Sequence, residues 1–181
     1  MNLQQTLKEI DRAHALGVEV YVLDAGWFIK TGDWEVNTTF FPDSLKQVRA
    51  KLEGYGMKLG LWFNPTVAAV SSIMYKQNLA NRMSHNGKQN EPSEIWETEK
   101  SVSLCLVSSY WEKFADKLIS LTKTLGVSYF KWDAIGQYGC HDAHHFHGPE
   151  TNTLKASTQR YAFLQHLYMT KILDKYVKTD Q

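Results

Sequence analysis

One unit recurs along this chain: an amphipathic helix, a glycine, an apolar strand and then an acid. Leu16-Gly17-Val18 matches Leu125-Gly126-Val127, and counting on from the two glycines, Asp24 and Asp133 fall at the same place after the strand. A third, less regular copy ends in Leu61-Trp62-Phe63-Asn64-Pro65. Because each helix carries the chain back to begin the next strand in the same direction, the repeat predicts an α/β fold with a parallel sheet and right-handed crossovers. Both acids then lie on the carboxyl-terminal edge of that sheet, where open sheets and eight-stranded barrels alike bind ligands.

The remaining elements follow from periodicity. Leu3, Leu7, Ile10 and His14 mark one face of a first helix that Gly17 stops. Val18–Leu23 reads as a strand, and Asp24-Ala25-Gly26-Trp27-Phe28 leads into a loop through Trp34. Ser44 and Gln47 stand in capping-box spacing ahead of a second helix with Leu45, Val48, Leu52 and Tyr55 on its inner face. Met57–Phe63 is the next strand, closed by Asn64-Pro65 because proline cannot donate to a ladder. Partial helix is expected after Thr66, and Met83 to Pro92 reads as an exposed polar excursion. Val102–Val107 reads as a short strand, and Ser109 with Glu112 predicts a cap for a helix burying Trp111, Phe114, Leu118, Leu121 and Leu125. A glycine- and histidine-rich loop spans Ala134 to Pro149, and Tyr161, Leu164, Tyr168 and Ile172 mark a long final helix.

Three or four strands in 181 residues fall short of the ~250 residues of a closed (β/α)₈ barrel. A partial barrel has two open sheet edges, which invite self-association by strand pairing. The expectation is a single partial domain over 1–181, a segment of something larger rather than a complete open-sheet domain.

Composition excludes several functions. Twenty basic and nineteen acidic side chains leave a net charge of +1, which is no footprint for nucleic acid. Neither a leader peptide nor an apolar run of the ~20 residues needed to cross a bilayer is visible, so no membrane partner is expected.

The chemistry concentrates at the end of Val127-Ser128-Tyr129-Phe130-Lys131-Trp132-Asp133. Strand alternation sends Tyr129, Lys131 and Asp133 to one face and Phe130 and Trp132 to the other. Same-face neighbours are about 6.5 Å apart along a strand, so the Lys131 ammonium favours the ionised form of Asp133. An ionised carboxylate suits a nucleophile.

In order and spacing, Leu23-Asp24-Ala25-Gly26-Trp27-Phe28, Gly32-Asp33-Trp34, Leu61-Trp62-Phe63-Asn64-Pro65 and Tyr129-Phe130-Lys131-Trp132-Asp133 resemble α-galactosidases of glycoside hydrolase family 36, the melibiase-like enzymes. The resemblance covers roughly Ala13 to Cys140. It implies a (β/α)₈ TIM barrel, here strands two to four with their helices, acting on terminal α-linked galactose with retention of configuration. By the same resemblance Asp133 is the catalytic nucleophile, Lys131 and Asp24 bind sugar hydroxyls, and Trp34 walls the pocket. Trp27 and Trp62, at strand ends, are further substrate-binding candidates. Ala25 departs from the family pattern, in which many members carry a second acid there. That keeps open galactosyl transfer or an N-acetylated sugar, and a noncatalytic module that binds carbohydrate or associates with other chains.

Retaining glycosidases need a second carboxyl about 5–5.5 Å from the nucleophile. Nothing after Asp133 matches the family motif that supplies it, so the acid/base is expected to be absent from this chain.

No cofactor and no metal is expected. Cys140-His141-Asp142-Ala143-His144-His145-Phe146-His147 has a tempting composition, but it lacks HExxH or paired CxxC spacing. The stretch reads instead as the rim of a pocket mouth that titrates near pH ~6.5, and Cys105 as a buried, inert thiol.

Overall fold

The computed structural model describes residues 2–94, 99–133, 139–148 and 154–179. Along the chain the elements are α1 (Leu3–Ala15), β1 (Val20–Leu23), α2 (Lys46–Gly54), β2 (Lys58–Phe63), β3 (Val67–Ala69), α3 (Ile73–Gln77), β4 (Ser84–His85), β5 (Lys88–Gln89), β6 (Ser101–Ser103), α4 (Tyr110–Leu125), β7 (Val127–Trp132) and α5 (Leu154–Thr179). They form two compact units. The first takes residues 1–29, 34–63 and 120–133, and the second takes 30–33, 64–119 and 134–181.

The first unit is a parallel sheet in the order β1-β2-β7. α1 starts with a capping box in which Asn2 and Gln5 exchange side-chain and backbone hydrogen bonds, each 3.1 Å long. Leu3 and Ile10 of its apolar stripe are buried, whereas His14 is exposed and stacks on Tyr55 with ring centroids 4.0 Å apart. Leu45, just before α2, and Val48 and Leu52 within it are buried as expected, whereas Tyr55, expected on the same face, is exposed.

The expected Ser44 cap of α2 is replaced by another. Ser44 and Leu45 both adopt positive φ, and the Gln47 N–H donates to Asp43 Oδ2 at 2.8 Å. The chain turns left-handed after Phe41, so the carboxylate four residues before Gln47 reaches the amide that the Ser44 hydroxyl was expected to take.

Gly17 and Gly126, which end α1 and α4, sit at φ +75° and +68°. A left-handed residue after the last turn frees the chain to reverse into the following strand, and only glycine adopts it without strain. That is the physical content of the repeat.

The second unit pairs β3 with β6 antiparallel and β4 with β5 in a two-residue hairpin. Asn86 and Gly87 form its turn at φ 50° and 75°, the primed geometry that an Asn-Gly pair favours. The stretch read as a featureless polar excursion therefore contains a hairpin. Asp33 belongs to this unit and accepts from the Ile73 and Met74 amides at 3.1 and 3.0 Å, while Ser72 Oγ accepts from the Tyr75 amide, so together they cap α3. At the start of α4, Ser108 Oγ accepts from the Tyr110 amide at 3.3 Å, one position upstream of the expected Ser109. On α5, Tyr161, Tyr168 and Ile172 are buried. Among the described residues no helix is long and apolar enough to cross a membrane.

Gly126→Ala is expected to lower stability by about 1 kcal/mol, the cost of a Cβ at positive φ. Gly54→Ala, inside α2 with open space around the new Cβ, is expected to leave stability unchanged or raise it. Urea unfolding followed by circular dichroism measures both.

Candidate active site

Register brings the site together. Leu23 pairs with Leu61, so the next residue, Asp24, stands level with Trp62, and Trp62 pairs with Lys131. Cross-strand partners in a parallel sheet share a face, so Asp24, Trp62 and Lys131 form one row across three strands at their carboxyl ends. Asp133 follows two residues after Lys131 on the same face. Its backbone N–H donates to Phe63 O at 2.9 Å and carries the ladder one residue past β7.

The Lys131 ammonium bridges two acids. It donates to Asp24 Oδ2 at 2.7 Å and lies 3.9 Å from Asp133 Oδ2. The sequence reading paired this lysine with Asp133, and its shorter bond goes to Asp24. Hydrogen bonding to Asp24, reinforced by attraction to Asp24 and Asp133, pushes the ammonium above the usual lysine range. Side-chain exposures of 42% for Lys131, 53% for Asp24 and 47% for Asp133 leave all three charges open to solvent.

Beneath the charges lies an aromatic floor. Trp62 Nε1 donates to Asp133 Oδ2 at 3.0 Å, and Trp27 Nε1 donates to the Trp62 carbonyl at 2.8 Å. Trp27, Phe28, Trp34, Trp62 and Phe63 interlock edge to face and stacked, with centroid separations from 4.7 to 6.4 Å.

The sequence reading expected Trp27, Trp34 and Trp62 to offer ring faces to a ligand. The fold buries all three, at no more than 1% exposure, because the chain after β1 turns back over the sheet: the Asn37 N–H donates to Trp27 O at 2.8 Å, and Phe28 bridges Val36. The role that the sequence missed is the Trp62 hydrogen bond to Asp133. No local motif signals it, because it depends on the offset between β2 and β7. Trp34 is unusual in two ways, with φ at 50° and an indole Nε1 that has no hydrogen-bond partner among the described residues. Trp132 is half-buried on the opposite face, next to Phe130.

A cavity of roughly 490 Å³ in this unit is lined by Arg49, Leu59, Leu125, Gly126 and Ser128 among others. These residues sit at the amino-terminal ends of β2 and β7, the edge away from the carboxylates. In parallel α/β architectures that edge serves stability rather than chemistry.

Residues 1–179 match the Melibiase family. The chain belongs to that family. Among the relatives of this chain, alpha-galactosidase 1 of Pediococcus pentosaceus is 29% identical over 131 residues, covering 68% of this chain and 17% of that one. The GH36 alpha-galactosidase AgaA of Geobacillus stearothermophilus superposes with a TM-score of 0.67 at 20% identity, over 99% of this chain and 24% of that one. A variant of AgaA solved in complex with raffinose superposes with a TM-score of 0.66. The chain thus spans about a fifth of the length of such relatives.

The raised Lys131 pKa has a defined sign. A group whose folded pKa exceeds its unfolded value, ~10.4 for lysine, contributes stability in full below that value and loses it as pH rises through the folded one. The bridge is therefore intact at neutral pH. Titration of the Lys131 side chain by NMR is expected to place its midpoint above that of free lysine, and Asp24→Asn is expected to bring it down.

Proposed function

We propose that this chain is the nucleophile-bearing part of a retaining α-galactosidase, a piece of a (β/α)₈ barrel in which β1, β2 and β7 are strands two to four. The observation that carries the reading is the Asp133 carboxylate held at a strand's carboxyl end by the Trp62 indole N–H and faced by Lys131. Such a carboxylate is oriented and faced by a positive charge, an arrangement that suits attack on an anomeric carbon. Asp133 forms the C–O bond to the sugar as the glycosidic C–O bond breaks, giving a glycosyl ester. A second carboxyl group protonates the departing oxygen and then takes a proton from the water that hydrolyses the ester.

Asp24 is a poor candidate for that second group because it already accepts the Lys131 ammonium at 2.7 Å. On this reading the acid/base is a further carboxyl group, distinct from Asp24. Asp24 and Lys131 bind hydroxyls of a terminal α-linked galactose, and Trp27 and Trp62 form the floor that fixes them. β1 and β7 have no outer neighbour among the described residues, and in the complete barrel the adjoining strands pair there. Left alone, the same edges pair between copies of the chain. Support for the substrate class comes from the relatives named alpha-galactosidases and from the raffinose complex.

The two halves of the chemistry are separable with α-galactosyl fluoride, whose leaving group departs without a proton. The 181-residue chain is expected to accumulate a galactosyl ester on Asp133, found by peptide mass spectrometry, and to show no sustained hydrolysis of a nitrophenyl α-galactoside. Asp133→Ala abolishes the adduct. Sustained, Asp133-dependent turnover by this chain alone shows that a proton donor is present in it, and an adduct on another residue removes Asp133 as nucleophile.

A further inference from the structure

Four side chains that galactoside chemistry does not use converge in the second unit. Cys105 follows β6, while Cys140, His145 and His147 come from the histidine-rich stretch. They are buried at 0, 2, 5 and 6% exposure. One potential ligand atom from each lies within 4.8 Å of all the others, and Cys140 Sγ stands 3.3 Å from His145 Nδ1. The expectation of a solvent-facing rim is corrected here, since His141 is buried as well and only His144 of this stretch's histidines is exposed.

Both imidazoles are oriented from outside the cluster. His145 Nε2 lies 2.9 Å from the Ala80 carbonyl oxygen, and His147 Nδ1 lies 2.8 Å from that of Gly148. A carbonyl oxygen only accepts, so each of these nitrogens carries the ring proton and donates it. In the neutral ring, the form that binds a metal, the other nitrogen is then a lone pair. For His145 it points at the Cys140 sulfur, and for His147 it is a buried Nε2 with no hydrogen-bond partner among the described residues. Outer N–H groups tied to main-chain carbonyls, with inner nitrogens left as donors of electron pairs, are how proteins set histidines to hold a metal.

The sulfurs lie in an apolar shell formed by Met83, Val107, Tyr161 and Tyr168. Hydrogen bonding from Cys105 pulls the Cys140 thiol well below the usual cysteine range against the cost of burial. Two sulfurs and two imidazole nitrogens are a tetrahedral zinc donor set. With Zn–S near 2.3 Å and Zn–N near 2.0 Å, the edges of that tetrahedron are about 3.3–3.8 Å, so closure on an ion from separations within 4.8 Å requires a contraction of at most ~1.5 Å.

We propose that Cys105, Cys140, His145 and His147 bind one zinc ion that cross-links the 140–148 loop to the segment after β6. Four protein ligands leave no open position, so the ion is structural and takes no part in sugar hydrolysis. The earlier expectation of no metal rested on local spacing. That test fails for a site whose fourth ligand comes from a separate segment of the chain.

Metal analysis, thiol titration and cobalt substitution on the purified full chain test the site, and none of them depends on galactosidase activity. The expected results are one zinc per chain and, after exchange, a tetrahedral cobalt spectrum with a thiolate-to-cobalt charge-transfer band. Cys140→Ser and Cys105→Ser lose stoichiometric metal, whereas His147→Cys keeps one ion and strengthens the sulfur band. The His147→Cys spectrum separates lost ligation from lost folding. Chelation by phenanthroline lowers the melting temperature of the wild-type and His147→Cys chains and leaves that of the two serine variants unchanged. Absence of zinc together with no charge-transfer band when cobalt is added to the reduced wild-type chain overturns the site. A Cys105–Cys140 disulfide whose reduction does not restore metal binding overturns it equally.

Discussion

The offset of β2 against its two neighbours is the constraint on which the charged site depends. β2 is paired on both sides, and its backbone fixes where β1 and β7 end. Only with Leu23 opposite Leu61 and Trp62 opposite Lys131 do Asp24, Trp62 and Lys131 stand in one row. A slip of one residue would turn every side chain of a strand to the other face. It would take Lys131 from between its two carboxylates and put Phe130 or Trp132 there. The five interlocked aromatic rings reinforce the register, because Trp27 can bond the Trp62 carbonyl only from one position.

The charged row is itself a poor source of stability. Its three members remain roughly half exposed, and exposed ion pairs contribute ~0–1 kcal/mol. What holds it is the buried layer below, where Trp62 spends its only hydrogen-bond donor on Asp133. Orientation of the acid is therefore set by packing, which is rigid, and its charge environment by Lys131, which is solvated and adjustable. For the proposed nucleophile, that division fixes the angle of approach while leaving the charge environment adjustable.

Local signals read well where one segment contains the whole cause. The glycine stops of α1 and α4, the apolar faces of α1, α2 and α5, and the strand ends at Asp24 and Asp133 are of this kind. Signals that compete for the same amide read less well: Asp43, not Ser44, serves α2, because left-handed residues at 44 and 45 changed which oxygen arrives. The Asn86-Gly87 turn was legible as a hairpin signal and was masked by the polarity around it, since its strands of two residues each are too short for alternation to register.

The sequence by itself determined the repeat, the parallel α/β class, the lysine and acids at the strand ends, and the family resemblance that the match over residues 1–179 bears out. These are consequences of order along the chain: glycine where a helix must reverse, alternation along a strand, motifs at fixed spacing. Only the tertiary structure decided that Lys131 bonds Asp24 more closely than Asp133, that three tryptophans form a buried floor, and that Cys105 meets Cys140, His145 and His147. Each of those depends on a distance between segments far apart in sequence, and such distances are set by strand register and packing rather than by residue spacing.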